Sequence, residues 1–158
     1  MDSIVTILDY NNSMYLDDDF DGWIIEDFIN TEDPTYQEVI DFLLWDRTDK
    51  LRWVEGIWMC MDFATTVHNT AELNGLKCGF TKIWDVDRDG GHVCLAWDTV
   101  DYGLIYTDST GVLNPVSEMS TYDAILEPKI MHQLTGYYID DQEPISYSWI
   151  VDRIDTIW

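Results

Sequence analysis

Residues 1–30 alternate short apolar runs (IVTIL, GWII, DFI) with acidic clusters, and predict a strand or irregular lead-in as far as residue 33. Asp33-Pro34-Thr35 marks an entry, with Asp33 as N-cap and Pro34 at the first helical position. Tyr36, Val39, Ile40, Leu43 and Leu44 follow at helical spacing, so the pattern predicts a helix over 34–45 that DRTDK breaks. Beyond Gly56 a longer helix is predicted from about Cys60 to Asn74. Its Cys60, Phe63, Ala64, Val67 and Ala71 form one continuous apolar face. Gly75 fits the position just past a helix end, with Leu76 placed for the accompanying hydrophobic contact.

The period then changes from 3.6 to 2. LKCGFTKIW (76–84), HVCLAWDTV (92–100) and GLIYTDST (103–110) read as consecutive antiparallel strands, joined by DVDRDGG and DY. Strand 92–100 is apolar on both faces, which predicts a central position. KIMHQLTGYYI (129–139) and ISYSWIVDRI (145–154) predict a further pair turning at DDQEP. No repeat, low-complexity stretch or linker divides the chain. The expectation is one α+β domain over 1–158, with N-terminal helices packed on an antiparallel sheet. Within it, 1–33 is the lead-in, 34–111 the core and 112–158 the C-terminal strands.

With 158 residues, 46% hydrophobic and 14% aromatic, the chain can bury a real core despite a net charge of -23. That charge, from 31 acidic against 8 basic side chains, excludes nucleic acid and anionic membrane surfaces as expected partners. It fits a salt-adapted surface, a cationic partner or divalent-metal loops. No stretch approaches the roughly 20 apolar residues of a membrane span. MDSIVTILDYNN lacks the basic and apolar regions of a signal peptide, so the expected compartment is the cytoplasm, or the exterior if a leader has been removed. Three cysteines (Cys60, Cys78, Cys94) exclude a full disulfide framework; a Cys78–Cys94 pair is open, and reduced thiols are the simpler reading.

Cys60 changes the picture, because a helix N-terminus favours the thiolate, which is the nucleophilic form. A base is then required. His68 lies two turns along the same helix, too far up the axis, and His132 sits among polar residues near a later strand. His92 opens the central strand just after Gly90-Gly91, where flexible backbone and open space are expected. Asp108 ends the next strand, and an antiparallel hairpin brings the start of one strand near the end of the other. Cys60, His92 and Asp108 therefore predict a nucleophile, a base and an orienting carboxylate. A zinc site from Cys60, Cys78, His92 and Cys94 lacks any CxxC pair and is the weaker alternative, and packing accounts for Cys78 and Cys94.

CMDFATTVHNTAELNGLKCGF followed by GGHVCLAWDTVDYGLIYTDSTG resembles the transglutaminase-like family of cysteine enzymes. That family has a helix-opening Cys followed by Phe-Ala, a His leading a strand, and an Asp ending the next strand before Ser/Thr. PTYQEVIDFLLWDRTDK is similar to the segment before the Cys in small prokaryotic and archaeal members, so the resemblance covers about 34–111. It implies a papain-like core and acyl transfer or hydrolysis on a protein or peptide amide, through a thioester on Cys60 with no cofactor required. The acidic surface would favour cationic, lysine-bearing substrates. The papain-type Gln before the Cys is missing from RWVEGIWM. The Cys60 backbone N–H can supply one oxyanion donor; Trp45, Trp53 and Trp58 are upstream, and the second donor stays open.

Two acidic loops, DDDFDG (Asp17, Asp19, Asp21) and DVDRDG (Asp85, Asp87, Asp89), fit D-x-D-x-D-G and are candidate calcium loops. Ile24 even falls at the apolar position of an EF-hand. Position 12, however, is Phe28 in one and Ala96 in the other, so neither is a complete EF-hand and an exposed acidic turn is the competing reading. Two rivals to an enzyme follow: a non-catalytic binding module with the same fold, and a calcium-stabilised structural domain.

Overall fold

The computed structural model describes residues 2–8, 23–54, 56–88, 90–110 and 123–158. It is a mixed α+β structure. An antiparallel hairpin of β1 (Ser3–Leu8) and β2 (Trp23–Phe28) comes first. Helices α1 (Tyr36–Trp45) and α2 (Cys60–Leu73) follow, with a short 3-10 turn at Thr48–Lys50 between them. Then come β3 (Gly79–Asp85), β4 (Gly91–Thr99), β5 (Gly103–Asp108), β6 (Ala124–Leu126), β7 (Gln133–Tyr138) and β8 (Pro144–Ile157). These six pair antiparallel in chain order, and β8 returns to β3, closing the sheet into a barrel. The antiparallel sheet expected from sequence closes on itself: β8 is longer than its apolar run and reaches back along β3.

The helices stop and start for local reasons. Thr35, rather than Asp33, caps α1. Glu38 N–H donates to its hydroxyl and the Glu38 carboxylate accepts the Thr35 N–H at 2.7 Å, a reciprocal capping box worth about 1 kcal/mol. Asp33 instead faces Lys77 at 3.6 Å. The buried face of α1 is Val39, Phe42 and Leu43, whereas Leu44 is exposed. α2 ends as the sequence predicts: Gly75 takes φ +84°, its N–H donates to Glu72 O, and Leu76 N–H donates to Ala71 O.

Alternation along the strands builds two apolar layers. Val93, Leu95 and Trp97 of β4, Ile105 of β5 and Ile125 of β6 pack outward against α1, α2 and β2. Cys94 of β4, with Ile83, Ala124, Leu126, Leu134, Ile145, Tyr147 and Val151, fills the barrel. Strand β4 is therefore apolar on both faces because it separates the two layers. Helix α2 is buried on two sides, and its polar side chains finish the outer edge of β2. The Trp23 indole N–H donates to Asp62, Glu26 N–H to Asn69 Oδ1, Asn69 Nδ2 to Ile24 O, and Phe28 N–H to Glu72. No helix among the described residues is long and apolar enough to cross a membrane.

Candidate active site

Cys60 is the first residue of α2, so its backbone N–H has no acceptor within the helix. The chain reaches it through a tight turn in which Val54 and Trp58 exchange backbone hydrogen bonds and Gly56 takes φ +73°. Asp62 then accepts the Met59 N–H at 2.8 Å, placing a carboxylate in the first turn as the helix dipole favours. Cys60 is partly exposed, while Cys78 and Cys94 are buried and none of the three forms a disulfide. Burial pushes the Cys78 and Cys94 thiols well above their ordinary pKa, with neighbouring carboxylates adding to it. Only Cys60 combines access with a helix start.

His92 and Asp108 meet through the register of one hairpin. β4 and β5 pair from Leu95↔Thr107 to Thr99↔Gly103, a register held at the turn by Gly103 at φ +86° and by Thr99 Oγ1 donating to Gly103 O. His92 therefore lies on the barrel side of β4, two residues from Cys94, and Asp108 shares that side of β5 with Tyr106. His92 Nε2 lies 2.6 Å from Asp108 Oδ2. The Gly91 that precedes His92 occupies a tight position, not the open one expected from sequence. A Cβ there would strike the Ile83 carbonyl of β3.

Asp108 is saturated with donors. Oδ2 accepts from His92 and from the Tyr147 hydroxyl at 2.6 Å; Oδ1 accepts from the Thr110 N–H at 2.9 Å and the Thr110 hydroxyl at 2.6 Å. Burial alone would raise its pKa, but the His92 charge and these hydrogen bonds win and hold it low. For His92 burial is again the largest single influence and acts downward. The Asp108 charge and hydrogen bond, with further help from Cys60, outweigh it and lift the imidazole to about 10. The raised value favours the charged ring at neutral pH, with Nε2 on Asp108 and Cys60 close enough to add to the shift. Tyr147 (ring centroids 5.3 Å apart) and Trp149 (6.0 Å, edge-on) enclose it.

Tyr147 and Trp149 were not singled out by the sequence; strand period 2 placed them in β8 without indicating that β8 closes the barrel beside His92. Trp45 is exposed, and the Trp58 indole N–H, two residues before Cys60, is buried with no hydrogen-bond partner. In the second acidic loop Asp85 is buried. Its Oδ1 accepts the Asp87 N–H and its Oδ2 faces Arg88 at 3.4 Å. Asp89, and Asp17, Asp19 and Asp21 of the first loop, lie outside the described residues. Among the described residues the one group of potential ligands that converges is Asp27, His68 and Glu72. Models of known families, curated proteins and solved structures yield no match to the chain.

Proposed function

We propose that this protein is a thiol-dependent acyl-transfer enzyme acting on an amide, resembling the transglutaminase-like enzymes with their papain-like core. Cys60 is the nucleophile, His92 the proton carrier and Asp108 the residue that holds it. The observation that carries the reading is the pairing of His92: one ring nitrogen lies on the buried Asp108 carboxylate at 2.6 Å, and Cys60 is among the groups near enough to lift the ring's pKa. A ring cation beside a sulfur favours nucleophilic attack by that sulfur.

The chemistry follows. The Cys60 thiolate attacks the amide carbonyl carbon, and the C=O electron pair moves onto oxygen, where the Cys60 backbone N–H can receive it. His92 gives its proton to the departing nitrogen, the C–N bond breaks, and a thioester remains. An amine or water then attacks the thioester carbon while His92 takes its proton, and the thiolate leaves. Asp108 keeps its charge throughout. The net charge of -23 would draw cationic, lysine-bearing peptides by long-range steering.

The test is alkylation of Cys60 by iodoacetamide as a function of pH. Labelling is expected to be fast well below pH 8 and to slow at least about tenfold at pH 6 in His92→Ala. Sluggish labelling that His92→Ala leaves unchanged would remove the basis for an enzyme.

A further inference from the structure

His68 is buried inside the fold on α2, away from Cys60, and its surroundings are unusual for a core histidine. Its ring is fully buried, with Nδ1 3.0 Å from Asn69 Oδ1 and Nε2 3.3 Å from Asp27 Oδ1. The Asn69 amide is oriented by its other bonds, since Nδ2 donates to Ile24 O and Oδ1 accepts the Glu26 N–H. Nδ1 must therefore be the donor to Asn69, and Nε2 is left facing carboxylates. Nε2 makes no hydrogen bond, despite its short distance to Asp27. Glu72, one helical turn further along α2, completes the cluster: its carboxylate, the Asp27 carboxylate and the His68 nitrogen offer atoms all within 4.8 Å of one another. No lysine or arginine among the described residues forms an ion pair with Asp27 or Glu72.

With Nδ1 directed at Asn69, Nε2 faces two carboxylates and makes no hydrogen bond, so three potential ligand groups crowd together with no donor between them. A cation between them removes that conflict. We propose that Asp27, His68 and Glu72 bind a divalent transition-metal ion, zinc foremost. One nitrogen and two carboxylates suit zinc, cobalt or manganese better than calcium, which takes an all-oxygen shell. The surroundings match what such ligands require. His68 donates its other ring N–H to an amide oxygen, and the two Glu72 oxygens each accept a backbone N–H, from Phe28 (3.0 Å) and Cys78 (2.8 Å). Each oxygen keeps a further lone pair for a metal. The ion would bridge β2 to α2, clamping the N-terminal hairpin onto the helix that carries Cys60, independently of any chemistry at Cys60.

The full chain, stripped with EDTA and exchanged into buffer, is titrated with Co²⁺ and then Zn²⁺. Ca²⁺ serves as the control for diffuse attraction to so acidic a molecule. The expected result is about one equivalent of Co²⁺ with visible ligand-field absorption, displaced by Zn²⁺, and a rise in Tm of roughly 5 °C that Ca²⁺ does not reproduce. Binding persists in Cys60→Ala and weakens at least about tenfold in His68→Gln and in Asp27→Asn. Asp27 is partly exposed, so its variant decides the matter should His68→Gln fail to fold. The site is refuted if Co²⁺ binds no better than Ca²⁺, if Asp27→Asn binds as tightly as the parent, or if Cys60→Ala abolishes the cobalt spectrum.

Discussion

At the scale of single residues, the decisive contest is between burial and charge at His92. Burial alone would strip the ring of its proton, as it does for most interior histidines; Asp108 reverses that outcome because it is itself buried and fully hydrogen-bonded. Each group is ionised because the other is. Tyr147 supports this from a distance of one bond, since its hydroxyl, kept neutral by burial and by the adjacent Asp108 charge, donates to the same oxygen as His92. Replacing Asp108 by Asn keeps the shape and removes the charge. In an NMR titration of the His92 ring, the parent should stay protonated up to about pH 10, whereas Asp108→Asn should titrate at least about 2 units lower. Tyr147→Phe, which withdraws one neutral donor, should leave the ring charged at neutral pH and move it by less. A ring that titrates identically in parent and Asp108→Asn would mean that another group holds the proton.

Elements position these residues, and the site is most sensitive where two strands come closest. Gly91 pairs with Trp84 across β3–β4, and a methyl group at this position would strike the Ile83 carbonyl, which cannot move aside as the nearby Lys82 side chain can. Gly91→Ala should cost about 1–3 kcal/mol by overpacking, and should also slow Cys60 labelling because it displaces the strand just before His92. Gly90→Ala, with nothing within 4 Å of the new methyl, should stay within about 0.5 kcal/mol. A thermal melt of the two variants checks both. The contrast marks the limit of what the sequence conveys. Both helices, the Schellman end at Gly75 and five of the barrel strands follow from period and turn chemistry, because local patterns suffice to specify them. The pairing of His92 with Asp108 also follows, from hairpin geometry alone. Strand β6 does not, being the three-residue Ala124–Leu126, and neither does closure by β8, which is a long-range pairing. Asp33 lost the cap to Thr35 because Glu38 sits three residues after Thr35 and completes a capping box there. His68 and Glu72 look like ordinary helix surface until the hairpin is laid over them.

Across the whole molecule, groups drawn out of water set how stability depends on pH, and the buried His92–Asp108 pair and the partly buried Asp123 act over different windows. His92 is raised in the fold, so its contribution is complete below its ordinary value near 6.5 and disappears as pH climbs through about 10. Asp108 is lowered, so its contribution is present above the ordinary carboxylate value of 3.8 and disappears as acid protonates it in the fold. Asp123 behaves oppositely to Asp108. Its Oδ1 accepts from Ser109 at 2.7 Å, yet burial, with Asp49 and Asp46 nearby, lifts it to about 8. Between pH 3.8 and 8 the unfolded chain releases this proton while the folded chain keeps it, so folding loses stability steadily across that range. The loss is a property of one carboxylate superimposed on the general repulsion of a chain with net charge -23, and the two separate cleanly in a variant. Asp123→Asn retains an acceptor for Ser109 and has no proton to lose. At pH 8 it should be more stable than the parent by on the order of 1–2 kcal/mol, with the difference shrinking toward zero near pH 4. Urea unfolding of both proteins at pH 4, 6 and 8 measures this directly. Parallel curves at all three values would show that Asp123 ionises freely in the fold, and the pH dependence would then belong to the surface charge alone.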